Sequence, residues 1–266
     1  MKQLYVIFLV LFVQIIIVSC ESYELNLPDY ESKIVVDGWI EQGQSARVIL
    51  TLSAAYFSEI DSIALRKLVI TRAKVTVSDG EREEVLTLRS NDAYFPPYAY
   101  EGSIIKGEPG KTYYLEVIYS GQVITASTTI PEPVYLDSVW FQLDEGMDSL
   151  GFIWAHFNDD GNKKNYYRLL TKRKNIDERY VPVFIPNFDD KFFNGEAMDF
   201  AIYKGSENPL VRDDIIHYTL GDTILLKVNA IDKITYDFWM SVQQEAFNAG
   251  NPLASSNAEP VTNIDD

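Results

Sequence analysis

Two hydrophobic rhythms divide the chain. Leu4 to Val18 is apolar apart from Gln14, with no alternation, whereas from Ile34 the period becomes two. Ile34, Val36, Gly38 and Ile40 alternate with Val35, Asp37 and Trp39, and Val48, Leu50 and Leu52 alternate with Ile49, Thr51 and Ser53. Such alternation predicts half-buried strands. Leu68 to Val77 continues in β-branched residues, and Ser78, Asp79, Gly80 and Glu81 predict a turn into Glu84 to Leu88, hence a hairpin. Tyr94 to Tyr100 is an aromatic loop broken by Pro96 and Pro97. Turns at 107–111 and at Ser120 and Gly121 bracket strands over 112–119 and 122–130. Pro131, Glu132 and Pro133 cannot continue a ladder and mark a boundary.

Beyond that boundary strands are predicted over 136–143, 149–157, 166–172, 180–185, 198–203, 215–220 and 223–231. One helix follows, over about 232–248: Asp232 is its N-cap, Ile234, Tyr236, Phe238, Trp239, Met240 and Val242 form its apolar face, and Gly250 with Pro252 stops it. The predicted class is mainly all-β, with two β-sandwich-like domains. The first, residues 33–131, has the short strands and regular turns of an immunoglobulin-like or transthyretin-like sandwich; the second, 134–266, is β-rich with one helix near its end.

The unalternating start changes the picture of where the protein works. Lys2 gives a positive first region, and the short apolar run ends in Ile17, Val18, Ser19 and Cys20 before Glu21 and Glu24. Residues 1–19 read as a lipoprotein signal peptide, Cys20 as the lipidation site and 20–32 as a polar tether. The alternative is an ordinary secretory signal in which Cys20 is incidental. A spanning helix needs about 20 apolar residues and a basic flank, which this run lacks. Cys20 is the chain's only cysteine, so acylation leaves no thiol for an intrachain disulfide. Stability then rests on burial, which a 47% hydrophobic and 13% aromatic composition supplies.

A formal net charge of −16 disfavours nucleic acid and anionic head groups as partners. It leaves calcium, basic ligands or a basic protein as partners where charge matters, and solubility where it does not. Catalytic markers are sparse. His156 and His217 are the only histidines, fall in different predicted strands and lack metal-ligand spacing, so each reads as a packing or surface residue. No GxSxG elbow, P-loop or GxGxxG occurs. Asn158, Asp160 and Asn162 mimic the start of a calcium loop, but Lys163 and Leu169 stand where its glycine and bidentate glutamate belong, which leaves a hairpin turn. The pairs Asp189 with Asp190 and Asp213 with Asp214 read as solvated loops, since neighbours on a strand face opposite ways. Cofactors and metals are therefore not expected.

Two aromatic groups are the candidate binding residues: Tyr94, Phe95, Tyr98 and Tyr100 in the first domain, and Phe188, Phe192 and Phe193 in the second. Aromatic side chains in turn-rich loops anchor ligands or partners because they bring large contact area at small entropic cost. The competing reading is that they plug the open ends of the sandwiches.

Several segments together carry a family resemblance. They are KIVVDGWI at 33–40, VTVSDGE at 75–81, PGKTYYLEV at 109–117, DDKFFNG at 189–195, GDTILLKVNAIDKITYDFW at 221–239 and GNPLASSNAEPVTNI at 250–264. With the lipobox, they resemble the DUF4249 lipoproteins of Bacteroidetes over almost the whole mature chain. That resemblance implies an outer-membrane lipoprotein encoded beside TonB-dependent transporters, with Glu21 and Glu24 associated with display on the cell surface. Similar sequences continue after the equivalent of Asn263 and Ile264 with a glycine-rich aromatic strand, so a missing last strand in the second domain is expected. The functional expectation is a non-enzymatic accessory that helps a TonB-dependent transporter capture a nutrient ligand. The rivals are an adhesin or envelope-structural lipoprotein, and an enzyme with an unfamiliar site.

Overall fold

The computed structural model describes residues 30–55, 61–90, 96–205, 216–248 and 260–265. Cys20, Tyr94, Phe95, Asp213, Asp214, Gly250 and Pro252 lie outside the described residues. The described chain is mainly β, in antiparallel sheets, with two helices.

The first sheet contains β1 (Ile34–Trp39), β2 (Ser45–Leu52), β5 (Thr87–Ser90) and β6 (Tyr98–Lys106), in the order β1-β2-β6-β5. The second contains β3 (Lys74–Ser78), β4 (Glu83–Val85), β7 (Thr112–Tyr119), β8 (Gln122–Thr129) and the short β16 (Ile264–Asp265), in the order β16-β8-β7-β3-β4. Val48 and Leu50 of one sheet and Val75, Val77, Val117 and Ile124 of the other bury into a single core, so the two sheets pack face to face. The β7–β8 hairpin turns at Ser120 and Gly121, both with positive φ (52° and 84°), the backbone that matches the twist of two-residue hairpins.

Local deviations from the periodic reading have local causes. The stretch from Leu68 is strand only in its second half: Leu68 ends helix α1 (Ser62–Lys67), which Asp61 caps with a carboxylate that accepts from Ile63 N (2.9 Å) and Ala64 N (2.7 Å), and β3 begins at Lys74. Six residues are too few to display a helical period. The expected aromatic loop 94–100 contributes its last three residues to β6, where Tyr98 to Ser90 and Tyr100 to Leu88 are cross-strand pairs.

Strands lying between Ser138 and Ala230 form a second pair of sheets. In one, β10 (Leu150–Asn158) is flanked by β9 (Ser138–Leu143) on one side and by β13 (Ala197–Ile202) and β14 (Tyr218–Thr219) on the other. The other has β11 (Tyr166–Arg173) between β12 (Val181–Asp189) and β15 (Ile224–Ala230). Ile153, Ala155, Leu169, Val183, Ile202 and Tyr218 form its core.

Helix α2 (Lys233–Asn248) lies on the outer face of the β11 sheet. Tyr236 meets Tyr166 with ring centroids 4.9 Å apart, the Arg168 guanidinium sits 3.6 Å over the Trp239 ring, and Gln243 accepts from Asn187, which accepts from Arg168. Arg168 is buried, and that desolvation lowers its pKa to about 10. No helix among the described residues is long and apolar enough to cross a membrane.

The two cores are joined by polar contacts. Asp232 caps α2 as its sequence position predicts, with Oδ1 accepting from Thr235 N (2.9 Å). Its Oδ2 reaches back to β8 and accepts from Thr128 Oγ1 (2.8 Å) and Thr129 N (3.1 Å). Lys227 pairs with Glu41 at 2.5 Å. Ile264 and Asp265, which the sequence reading groups with the second domain, pair with Ala126 and Thr125 of β8 in the first.

Candidate functional site

The densest gathering of predicted site residues is the end of the second sandwich where the β10–β11 turn meets the loop after β12. Asp159 ties the two loops together. Its Oδ1 accepts from Asn165 Nδ2 (3.1 Å) and from the Tyr167 hydroxyl, and its Oδ2 accepts from Gly195 N (2.9 Å). Asp190 completes the link: its carboxylate accepts from Asn165 N (2.6 Å) and its own N–H donates to Asn165 O (3.3 Å). The loops come so close that a methyl group on Gly161 would stand 2.7 Å from Gly195 Cα. Gly195 has φ +75°, a backbone that glycine adopts without strain. The expectation of a solvated acid pair is thus corrected, since Asp190 is buried and shaped to hold the Asn165 backbone.

Aromatic rings fill the space below these loops. Phe193 lies 6.2 Å from Phe157, 6.4 Å from Tyr167 and 6.2 Å from Phe188, and Phe188 also meets Phe200 at 5.8 Å. Phe188 and Phe193 therefore close the end of the core, the packing role weighed against binding in the sequence. Burial, reinforced by the Asp159 carboxylate, pushes the Tyr167 hydroxyl far above its ordinary pKa and keeps it a hydrogen-bond donor. Phe192 does the opposite of its neighbours. It is 88% exposed, at the loop tip, with Lys191 Nζ 5.4 Å from its ring centroid.

The first aromatic group separates in the same way. Tyr100 is 3% exposed, and its hydroxyl donates to Ile70 O (3.1 Å) while accepting from Ala73 N (3.0 Å). That removes it from any contact surface: it staples β6 to the segment before β3. Tyr98 is exposed at the start of β6.

The two histidines each meet one carboxylate. His156 Nδ1 lies 2.6 Å from Asp199 Oδ1, its direct cross-strand partner in β13. His217 Nε2 lies 2.8 Å from Asp144 Oδ2, under the ring of Phe152 at 4.5 Å. The Asp144 carboxyl is held below its ordinary pKa, chiefly by that histidine hydrogen bond. In the Asp159 to Asn162 turn, Asp160 Oδ1 accepts from Asn162 N (3.1 Å) and Nδ2 (2.9 Å), which is hairpin-turn geometry. Among the described residues, no group of three or more His, Cys, Asp or Glu is placed to hold a metal ion.

A concavity of about 360 Å³ lies where the two cores meet, lined by Thr128, Asp232, Ile234, Thr262, Asn263 and Asp265 among others. Its walls come from segments more than a hundred residues apart. Asp232, as a helix cap, and Ile234, on the apolar face of that helix, carried a local sequence signal. The Asp159 link and the Gly161–Gly195 approach had none, because they depend on which loops the sheets bring together.

Comparison with known sequences adds one match. Residues 20–266 fit the sequence model of a family described as a domain of unknown function, DUF4249. No curated protein matches the chain.

Proposed function

The chain belongs to the DUF4249 family, and from that premise we propose that it is a lipid-anchored, non-enzymatic binding protein of the outer membrane, facing the cell exterior and assisting a TonB-dependent nutrient transporter. The observation that carries this reading is a coincidence of position. The family match begins at residue 20, where the lipobox of Ile17, Val18, Ser19 and Cys20 places the acylated cysteine. Fatty acyl chains contribute about 0.8 kcal/mol per buried methylene, so two or more hold a globular domain at a membrane without a spanning segment. The polar residues after Cys20 then act as a tether, and the β-sandwiches stand off the lipid surface.

The second sandwich suits a contact role because its loop end is rigid and carries one outward aromatic. Asp159, Asp190 and the glycine pair fix the loops, while Phe188 and Phe193 anchor them from beneath. Phe192 is thereby presented at little further entropic cost, the property of an interface anchor.

Metabolic labelling with palmitate and purification in mild detergent test the proposal. The native protein is expected to take up label, fractionate with the outer membrane and co-purify with a transporter barrel. Cys20→Ala should lose label, membrane location and co-purification together. A Cys20→Ala protein that keeps both its location and its transporter partner refutes the reading.

A further inference from the structure

Strand β9 pairs with β10 over six consecutive residues, and among the described residues no strand lies along its other edge. Asp144 N donates to Leu150 O at 2.9 Å, which sets the phase of the ladder. By alternation, the N–H and C=O groups of Val139, Phe141 and Leu143 point away from β10. The sandwich is sealed on its opposite side, where Phe184 N of β12 donates to Tyr203 O just beyond β13 (3.1 Å).

Both faces of β9 offer apolar surface to solvent. Val139 is 51% and Leu143 42% exposed on the face that Phe141 turns to the core. On the other face Trp140, 37% exposed, stacks with Trp154 at 6.3 Å and 17° between planes. Natural edge strands are protected from pairing by charge, proline, bulges or brevity. The segment Ser138-Val-Trp-Phe-Gln-Leu143 has no charge and no proline, and its register with β10 is unbroken.

Charge decides between the occupants of such an edge. Carboxylates bracket β9, with Asp137 before it and Asp144, Glu145 and Asp148 after it. A second copy of this chain, paired antiparallel about Phe141 so that the outward groups of Val139 and Leu143 face one another, sets Asp137 opposite Glu145 of its partner at both ends. Like charges directly opposed destabilise strand pairing, and each approaching chain carries a net charge of −16.

We propose that β9 takes an extended segment of another protein as an added strand, apolar at alternate positions and carrying Lys or Arg at its ends. The outward backbone groups supply affinity, and Val139, Leu143 and the Trp140–Trp154 pair select the alternate side chains. This inference is independent of the lipid anchor and of any transporter.

The test uses the full chain and two nine-residue peptides of alternating valine and threonine, one ending in lysines and one in glutamates. Tryptophan fluorescence reads binding and amide hydrogen exchange locates it. The lysine peptide is expected to slow exchange at Val139, Phe141 and Leu143 and to bind about tenfold or more tightly than the glutamate peptide. Val139→Pro removes one outward N–H and should weaken binding by about tenfold or more. Val139→Lys, which retains every backbone donor and adds a guarding charge, should do the same without threatening the fold. Equal affinity for the two peptides overturns the proposal, as does protection at strands other than β9. Self-association that protects β9 in the absence of peptide also overturns it, by giving the edge to a second copy.

Discussion

Glu84 is predicted to be a main structural support of the first sandwich, and Glu84→Gln is the substitution that measures it. The residue is 7% exposed on β4, in the sheet opposite β6. Strand β6 departs from β2 between the pairs Arg47 with Glu101 and Ser45 with Lys106, and the Glu84 carboxylate takes the place of the missing acceptors. Oε1 accepts from Ser103 N (2.5 Å), Ser103 Oγ (3.0 Å) and Ile104 N (3.0 Å); Oε2 accepts from Ile104 N (3.0 Å) and Ile105 N (2.9 Å). Gly102 makes room, since a methyl group there would lie 3.0 Å from Oε2. Glutamine replaces one oxygen with a donor, so whichever way its amide turns, the N–H of Ser103 or of Ile105 faces another N–H. A buried donor without a partner costs about 1–3 kcal/mol, and loss of the charge-assisted bonds brings the expected cost to about 2–4 kcal/mol.

The same geometry sets a pH signature. Burial opposes ionisation of Glu84, but the amides of Ile105, Ser103 and Ile104 and the Ser103 hydroxyl outweigh it, so the carboxyl titrates below its ordinary value of 4.5. A carboxyl with a depressed folded pKa contributes stability that is complete above the unfolded pKa and is lost as pH falls through the folded one. The difference between native protein and Glu84→Gln should therefore be full at pH 7 and shrink below about pH 4.5. Two separate cores make a single global transition a poor measure, so amide exchange at Ser103, Ile104 and Ile105 is the appropriate assay, with urea unfolding alongside. Exchange at these amides that is unchanged by the substitution at pH 7 refutes the reasoning. So does a difference that persists undiminished at pH 3.

Two further substitutions examine the joints between elements. Asp232→Ala should destabilise by about 2–3 kcal/mol by removing the cap on Thr235 and the acceptor for Thr128 and Thr129. Asp232→Ser should restore only the helix cap, so melting recovers in part while exchange at Thr129 stays fast. Gly161→Ala forces a methyl against Gly195 Cα and should cost about 1–3 kcal/mol, with faster exchange at Gly195 N as its bond to Asp159 opens. Unchanged exchange there would mean that the loops part without cost.

Much of the local architecture was legible in the chain. Alternation located β1 and β2, the Ser78 to Glu81 turn produced the β3–β4 hairpin, and Asp232 capped the only long helix described. The candidate site was legible only in part. Phe188, Phe192 and Phe193 are consecutive or nearly so, yet two pack inward and one points outward, and Tyr100 shares a segment with exposed Tyr98 while its hydroxyl is enclosed. Residue type states that an aromatic is worth burying; it does not state which ring finds a cavity.

By itself, the sequence determined period, turns, caps and charge, because each of these acts within a few residues of its cause. Only the tertiary structure decided what distant segments do to one another. It set Glu84 beneath amides about twenty residues away, gave Asp232 a second partner in β8, sent Ile264 back to the first sandwich and left β9 with no further strand beside it among the described residues. The physical reason is that a strand's own residues fix which face it buries, whereas the neighbour it pairs with depends on sheet order, which no local pattern encodes.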